Sequence, residues 1–127
     1  MKFKIAFISI IISAFCHSQK AAFYVKKKTI TFPKTQEGEQ LKYRYRIYNT
    51  GKEPLIISSY ETECSCTQVI LPEKEIDPDD FDFIEVRFDT NGKYYYQDRK
   101  INLIANTKKK RHYLRFKVYV VPKKKNE

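Results

Sequence analysis

The segment 41-LKYRYRIYNTGKEPLII-57 decides the class of fold, because it contains a strand, a turn and the start of a second strand in succession. In its first half, apolar or aromatic residues alternate with mostly charged ones, a period of two that is typical of a strand with one buried face. The positions of the buried face are Leu41, Tyr43, Tyr45 and Ile47, and those of the solvated face are Lys42, Arg44, Arg46 and Tyr48. The segment therefore predicts a half-buried strand.

The second half of the segment predicts a sharp connection between two strands. Asn49 and Thr50 favour a turn, and Gly51 is expected to take a left-handed conformation after them. Pro54 can open the next strand, because the first residue of a strand need not donate a hydrogen bond.

Outside this segment, short runs rich in Tyr, Phe, Ile and Val are separated by Gly, Pro, Asn and Asp, and no run has the period of a helix. The further predicted strands are residues 24–32, 54–60, 66–71, 81–88, 100–105 and 114–120. Without crossover helices the sheets should be mainly antiparallel. About seven short strands then predict an all-β, immunoglobulin-like sandwich, with a small barrel as the alternative.

Residues 1–18 have the pattern of a secretory signal peptide, with lysines at positions 2 and 4 before an apolar run that is too short to span a bilayer. Cleavage is expected near Ser18, which leaves one sandwich domain, residues 19–122, and a basic tail, residues 123–127. We therefore expect export to the periplasm or beyond the cell. Lipid anchoring through Cys16 is the alternative, disfavoured by the bulky Phe15 before it.

The chain carries 25 Lys and Arg against 15 Asp and Glu, a formal net charge of +10. The excess gathers in three runs: residues 26–28, 108–111 and 123–125. Such runs usually serve solubility, and an exported protein seldom meets nucleic acid, so we predict no nucleic-acid partner. Binding to another anionic polymer stays open.

Several short motifs recur in the order and spacing of one bacterial family. They are Glu37-Gly38-Glu39, Asn49-Thr50-Gly51, Pro54-Leu55-Ile56, Cys64-Ser65-Cys66-Thr67, Ile76-Asp77-Pro78 and Phe88-Asp89-Thr90. In these the chain resembles the domain of unknown function 1573 family, over residues 30 to 120. The resemblance implies an exported, immunoglobulin-like domain with no known catalytic activity and no established ligand. The chain departs from the pattern at Ser65 and Asp79, where the family commonly has Gly, and at residues 94–96, where the family usually has small residues.

Cys64 and Cys66 are the pair of cysteines that the predicted domain contains. In a regular strand both side chains would leave the same face, so a disulfide between them requires the chain to bend. Three interpretations stay open: a structural pair, which we favour, a redox-reactive pair, and a soft-metal site for copper(I). A structural zinc site would need four Cys or His ligands, and only His112 could join the pair. We therefore predict no metal and no cofactor.

Two further clusters are candidate sites. Four carboxylates crowd into 77-DPDDFD-82 and could bind calcium, but a turn before the next strand explains them better. Tyr94, Tyr95 and Tyr96 stand together beside Lys93 and Arg99, a composition common where proteins meet. An edge strand with mixed burial is an equally good interpretation of the three tyrosines.

No catalytic set is recognisable in the sequence, so the predicted function is that of an exported, non-enzymatic module that binds a protein at the cell envelope. Cys64, Cys66 and residues 94–96 are the candidate binding residues. A thiol or copper module and a module for anionic polymers are the alternatives. The sequence predicts no transmembrane helix, and it leaves the oligomeric state open.

Overall fold

A computed structural model describes residues 20–124. The predicted signal peptide, Cys16 and residues 125–127 of the basic tail lie outside the described residues. Within them the chain forms nine strands and no helix. The strands are β1 (Phe23–Tyr24), β2 (Thr29–Thr31), β3 (Thr35–Gln36), β4 (Gln40–Asn49), β5 (Ile57–Thr62), β6 (Thr67–Ile70), β7 (Phe81–Asp89), β8 (Tyr95–Ala105) and β9 (Arg111–Val121).

The strands form two stacked sheets, so the predicted immunoglobulin-like sandwich is confirmed, with nine strands rather than about seven. Sheet one has the order β1-β4-β7-β6, and sheet two has the order β2-β9-β8-β5, with β3 also pairing with β9. The long pairs are antiparallel, as predicted, whereas the short β2 and β3 run parallel to β9.

The prediction of one strand over residues 24–32 is wrong, because the chain changes sheets within this run. β1 pairs with β4 in sheet one, and β2 pairs with β9 in sheet two. Val25 and Ile30 are both buried, although an odd separation would place them on opposite faces of one straight strand. The crossing at residues 26–28 brings both side chains inside and leaves the three lysines exposed.

Other predicted boundaries also move, and β9 begins at Arg111 rather than at residue 114. β5 begins at Ile57 rather than at Pro54, because Leu55 forms an isolated bridge with Ile76 before the strand starts. β6 begins one residue later than predicted, after the cysteine pair. β8 begins at Tyr95 rather than at residue 100, so the tyrosine run is the start of a long strand.

The core lies where the predicted buried faces of β4 and β9 meet. Sheet one contributes Tyr45 and Ile47 to the core. Sheet two contributes Leu114, Phe116, Val118 and Val120, and each of these six side chains is at most 1% exposed. The Tyr45 hydroxyl donates to the carbonyl oxygen of Arg115 at 2.7 Å, which ties the two sheets together. Burial raises the pKa of that hydroxyl above its ordinary value. Tyr45 therefore stays a neutral donor at every physiological pH.

The Asn49 side chain links four separate pieces of backbone from a position that is 1% exposed. Its Oδ1 accepts from the amides of Ala22 (3.2 Å) and Gly51 (3.0 Å). Its Nδ2 donates to the carbonyl oxygens of Glu53 (2.7 Å) and Ile76 (2.9 Å). Two acceptor and two donor positions are the full capacity of an amide side chain. Asn49 thereby fixes the turn after β4 against two distant residues. One is Ala22, just before β1, and the other is Ile76, just before the turn that precedes β7.

The expected left-handed conformation of Gly51 is wrong, because the glycines with positive φ are Gly38 and Gly92. Gly51 is needed for a different reason, the close approach of the chain before β1. A Cβ atom at Gly51 would lie 2.6 Å from the amide nitrogen of Ala22 and would also meet the carbonyl oxygen of Lys20. Backbone at that distance leaves no room for any side chain.

Candidate binding surfaces

Cys64 and Cys66 lie in the connection from β5 to β6, where the chain passes from sheet two to sheet one. Their sulfur atoms are joined in a disulfide, with Cα atoms 5.3 Å apart. The bend that such a bond requires is a turn in which the amide of Thr67 donates to the Cys64 carbonyl oxygen at 3.3 Å. Bonded sulfur atoms are neither thiolate ligands nor nucleophiles, so in this state the pair is part of the fold.

The Cys64–Cys66 disulfide constrains the unfolded chain only slightly, because the two cysteines are two positions apart. The chain-entropy relation for so short a loop gives about 1.6 kcal/mol at room temperature, against about 3 kcal/mol for a loop of about 15 residues. Its effect is local. The Cys66 carbonyl oxygen accepts from the amide of Asp89 at 3.0 Å, so the bonded turn holds the start of β6 against the end of β7.

Tyr94, Tyr95 and Tyr96 lie where the turn after β7 enters β8, and they are 51%, 59% and 83% exposed. The rings of Tyr95 and Tyr96 both pack against Tyr119 of β9, with centroids 6.2 and 5.0 Å apart. We call these four side chains the tyrosine patch. The register of β5 ends at Ile101, so within residues 20–124 no strand covers the outer side of β8 at the patch.

Tyr95 has a φ of 65°, in the left-handed region that bulky residues rarely occupy. A non-glycine residue there costs about 1–2 kcal/mol, and half-exposed Tyr95 gains little burial in return. Tyr94 and Tyr95 border a groove of about 500 Å³, together with Glu37 and Lys123.

The solvated face of β4 forms a second surface, in which arginine side chains lie on aromatic rings of β7. The guanidinium carbon of Arg44 is 4.0 Å from the ring centre of Phe83, and that of Arg46 is 4.7 Å from the ring centre of Phe81. We call Lys42, Arg44 and Arg46 with these two rings the cationic face. Sequence alternation predicted the three cations on one face, but the aromatic partners on β7 depend on cross-strand register.

Glu85 lies on the cationic face and is already paired. Its carboxylate contacts Lys42 Nζ at 3.2 Å and Arg87 at 2.8 Å. Burial opposes the ionised form, but the hydrogen bonds from Lys42 and Arg87 outweigh it and lower the pKa of Glu85. Within the described part of the chain, Arg44 and Arg46 take part in no ion pair. Both therefore remain available to an external anion.

His112 has its ring positioned by two neighbours. The ring stacks on Phe23 with centroids 4.4 Å apart, and Nε2 lies 2.7 Å from the Thr107 hydroxyl. That hydroxyl donates its own hydrogen to the Lys109 carbonyl oxygen at 2.6 Å, so Nε2 must carry the proton and donate to it. Burial, and then the charges of Lys109 and Lys28, lower the pKa of His112. The fold thus brings two of the basic runs together here.

The acidic run 77–82 is organised as a turn. Asp79 has a φ of 64°, which explains why the family pattern has Gly at this position, and the amide of Asp80 donates to the Asp77 carbonyl oxygen at 3.0 Å. The carboxylates of Asp80 and Asp82 accept from the next amide along the chain. Within residues 20–124 no group of three His, Cys, Asp or Glu side chains is close enough to hold a metal ion.

A family model described as "Protein of unknown function (DUF1573)" matches residues 23–120, nearly all of the sandwich. The chain belongs to the DUF1573 family. The resemblance deduced from the Asn-Thr-Gly and Cys-Ser-Cys-Thr motifs is therefore confirmed. Among curated proteins, none matches this DUF1573 chain at a significant level.

Solved structures support the same fold for this DUF1573 domain. A protein of unknown function from Porphyromonas gingivalis W83 is 18% identical over 86% of this chain, with a TM-score of 0.69, and the chain spans 51% of its length. The seventh PapD-like domain of human CEP192 is 12% identical over 99% of this chain and 100% of its own, with a TM-score of 0.60. The YadV chaperone is 13% identical over 83% of this chain and 54% of its own, with a TM-score of 0.52. At these identities the likeness shows a PapD-like, immunoglobulin-like sandwich and nothing of function.

The described residues of this DUF1573 chain contain no helix of the length and apolarity needed to cross a membrane.

The two predicted sets of binding residues, the cysteine pair and the tyrosines, lie at the same end of the sandwich. The Cys66 carbonyl oxygen accepts a hydrogen bond from the end of β7, and the tyrosine patch follows the turn after β7. The cysteine pair lies in the β5–β6 connection, whereas the tyrosines lie where the chain enters β8. Sequence reasoning missed the Asn49 network, whose partners lie up to 27 positions from Asn49, and the aromatic rings under Arg44 and Arg46.

Proposed function

We propose that the protein is an exported, non-enzymatic module that binds another protein at the cell envelope through the tyrosine patch. The observation that supports this proposal is Tyr95, a bulky, half-exposed side chain held at a φ of 65° beside two other exposed tyrosines. Backbone strain that brings no burial in the free protein is typical of positions retained for contact with a ligand. Tyrosine offers a large contact area with few rotatable bonds.

The proposal gives His112 no catalytic role. Its Nε2 proton is committed to Thr107, and its ring lies against Phe23. A general base must accept a proton, and burial and then the charges of Lys109 and Lys28 oppose protonation of this ring and lower its pKa. The position of His112 is thus that of a packing residue.

Site-specific photo-crosslinking in intact cells tests the proposal. A photoreactive residue replaces Tyr96 in the patch, and the matched control carries it at Lys74, an exposed position in the β6–β7 connection of the other sheet. We expect one discrete crosslinked envelope protein from the Tyr96 site, its loss when Tyr94 and Tyr95 are changed to Ser, and no such product from the control. Equal products from both sites, or survival of the product in the double variant, contradict the proposal.

Export is tested separately on the same protein. The amino terminus of the chain recovered from the envelope fraction should begin close to residue 19, after the predicted cleavage. A chain that retains its leader in the cytoplasm would refute export, and a lipid-modified Cys16 would favour the anchored alternative.

A second candidate function is binding to an anionic polymer, because the runs 26–28 and 108–111 converge around His112. Column retention on heparin that falls steeply with added salt, and that is lost when Lys108 to Lys110 are changed to Gln, would support it. Retention that does not depend on salt would remove it.

A further inference from the structure

The outer side of β4 is open over most of its length. β4 runs for ten residues, but its outer neighbour, β1, pairs only with Tyr48 and Asn49. β1 ends there because the chain crosses to sheet two at residues 26–28. Within residues 20–124, the segment Gln40 to Ile47 has β7 on one side and no strand on the other.

The direction of the free backbone groups follows from two hydrogen bonds. The amide of Asn49 donates to Asp80 on the β7 side, and the amide of Thr50 donates to Ala22 on the β1 side. Successive residues of a strand direct their backbone groups to opposite sides. The amides and carbonyls of Lys42, Arg44 and Arg46 therefore point away from β7, toward the open side.

A groove of about 600 Å³ runs beside this open edge. Lys26 and Lys27 line one wall, where the chain leaves sheet one, and the edge of β4 from Tyr43 to Arg46 lines the other. Tyr43 is only half-buried, and its ring meets Phe32 edge to face at 6.3 Å, so the floor of the groove is aromatic. The groove has the two components of a strand-binding site, free backbone groups and an apolar floor beneath alternate positions.

The charges around the groove select an acidic occupant. Lys26 and Lys27 are exposed on one wall, and Arg44 and Arg46 have no carboxylate partner within the described residues. The guanidinium groups are held on Phe83 and Phe81, so little side-chain entropy is lost when they pair with a carboxylate. Cations at every second position of β4 match carboxylates at every second position of an added strand.

We propose that the open edge of β4 binds an extended acidic segment of a partner protein as an additional strand of sheet one. The segment carries carboxylates at alternate positions, facing Lys42, Arg44 and Arg46, and apolar side chains between them that cover Tyr43. A peptide is the occupant rather than an anionic polymer, because only a peptide strand complements the free amides and carbonyls. A second copy of β4 does not fit, because an antiparallel pair would place Lys42 and Arg46 opposite each other and Arg44 opposite itself.

This inference goes beyond the proposed function and does not depend on it. The tyrosine patch lies at the start of β8 in sheet two, whereas the open edge belongs to β4 in sheet one. Each surface can bind with the other disabled, so the crosslinking test at Tyr96 and the experiments below succeed or fail separately.

Amide hydrogen exchange of the purified protein tests the strand addition directly. The probe is a short synthetic peptide, blocked at both ends, in which Glu alternates with Val. In the free protein the amides of Tyr43 and Tyr45 are protected by β7, and those of Arg44 and Arg46 exchange fast. Saturating peptide should slow exchange at Arg44 and Arg46 about tenfold or more and leave the tyrosine patch unchanged.

Two control probes separate the possible occupants. A peptide in which Lys replaces each Glu keeps the backbone and reverses the charge, so it should not protect these amides. Heparin carries the charge without the backbone. If heparin protects Arg44 and Arg46 as well as the acidic peptide does, or if the peptide leaves both amides unprotected, the proposal is wrong. Concentration-dependent protection without any peptide would instead identify a second copy as the occupant and overturn the proposal.

A matched pair of variants at Arg44 tests strand addition by measuring the affinity of each variant for the acidic peptide. Arg44→Gln removes the charge and keeps the amide, and we expect it to weaken peptide binding about two- to fivefold. Arg44→Pro removes both the charge and the N–H group that points away from β7. It breaks no hydrogen bond between β4 and β7, so an edge strand should tolerate it. Arg44→Pro should weaken peptide binding a further three- to tenfold, which corresponds to the loss of about one backbone hydrogen bond. Continued protection of the Tyr43 and Tyr45 amides verifies that the variant is folded, and equal affinities for the two variants would contradict strand addition.

Discussion

Replacing Asn49 tests how the connection after β4 is held together. Its side chain makes four hydrogen bonds in a position that is 1% exposed. At a net value of about 1 kcal/mol each, Asn49→Ala should cost about 4 kcal/mol of the free energy of unfolding, and orphaned amides at Ala22 and Gly51 would raise that figure. A domain of this size has about 5–15 kcal/mol in total, so the variant should retain only a marginal fold.

Urea denaturation monitored by circular dichroism measures this loss. With a slope of about 1.5 kcal/mol per molar urea, the midpoint should fall by about 2 M or more while the slope stays constant. Asn91→Ala is the matched control, because Asn91 is exposed in the turn after β7. It should stay within about 0.5 kcal/mol of the native protein. A loss below about 1 kcal/mol at Asn49 would refute the reasoning.

Asn49→Asp separates the donors from the acceptors of this network. The carboxylate can still accept from Ala22 and Gly51, but it faces the carbonyl oxygens of Glu53 and Ile76 with no hydrogen to donate. Burial beside those carbonyls should raise the pKa of the introduced carboxyl above its unfolded value. The destabilisation is then smallest below about pH 4 and grows as the pH rises through the unfolded pKa. A deficit that does not depend on pH would contradict this account.

Four further outcomes are expected. Gly51→Ala should lower the free energy of unfolding by about 2–3 kcal/mol in urea titrations, because its Cβ would meet the backbone of residues 20–22, and an unchanged midpoint would contradict the close approach. Tyr95→Gly should stabilise the fold by about 1–2 kcal/mol in the same assay while it reduces the Tyr96 crosslink, and a loss of stability would argue against strain at this position. His112 has a lowered pKa in the folded state, so its contribution to stability is present above the unfolded pKa of 6.5 and is lost as the pH falls below it. His112→Gln should flatten the difference in urea midpoint between about pH 8 and about pH 5. Reduction of the Cys64–Cys66 disulfide should cost only about 1.6 kcal/mol by thermal or urea unfolding, and complete unfolding on reduction would show that the bond has more than a local effect.

The cationic face illustrates how far the sequence alone predicts a surface. Alternation places Lys42, Arg44 and Arg46 on one side of a strand, because the period of side-chain direction is a local property of extended backbone. The rings beneath Arg44 and Arg46 belong to β7, nearly 40 positions away, and only the register of the β4–β7 pair brings them there. The open edge beside them exists because β1 leaves sheet one after Tyr24.

The sequence by itself determined the all-β class, the buried faces of β4 and β9, and the family, because each of these is carried by local periodicity and by short motifs. Tertiary structure alone decided that the run 24–32 divides between two sheets, that Gly51 serves close backbone approach rather than a left-handed turn, and that Asn49 joins its own turn to Ala22 and Ile76, each 27 positions away. The physical reason is the same in all three cases. Hydrogen bonding and packing across the sandwich satisfy groups far apart in sequence, and no local pattern specifies which distant group each will meet.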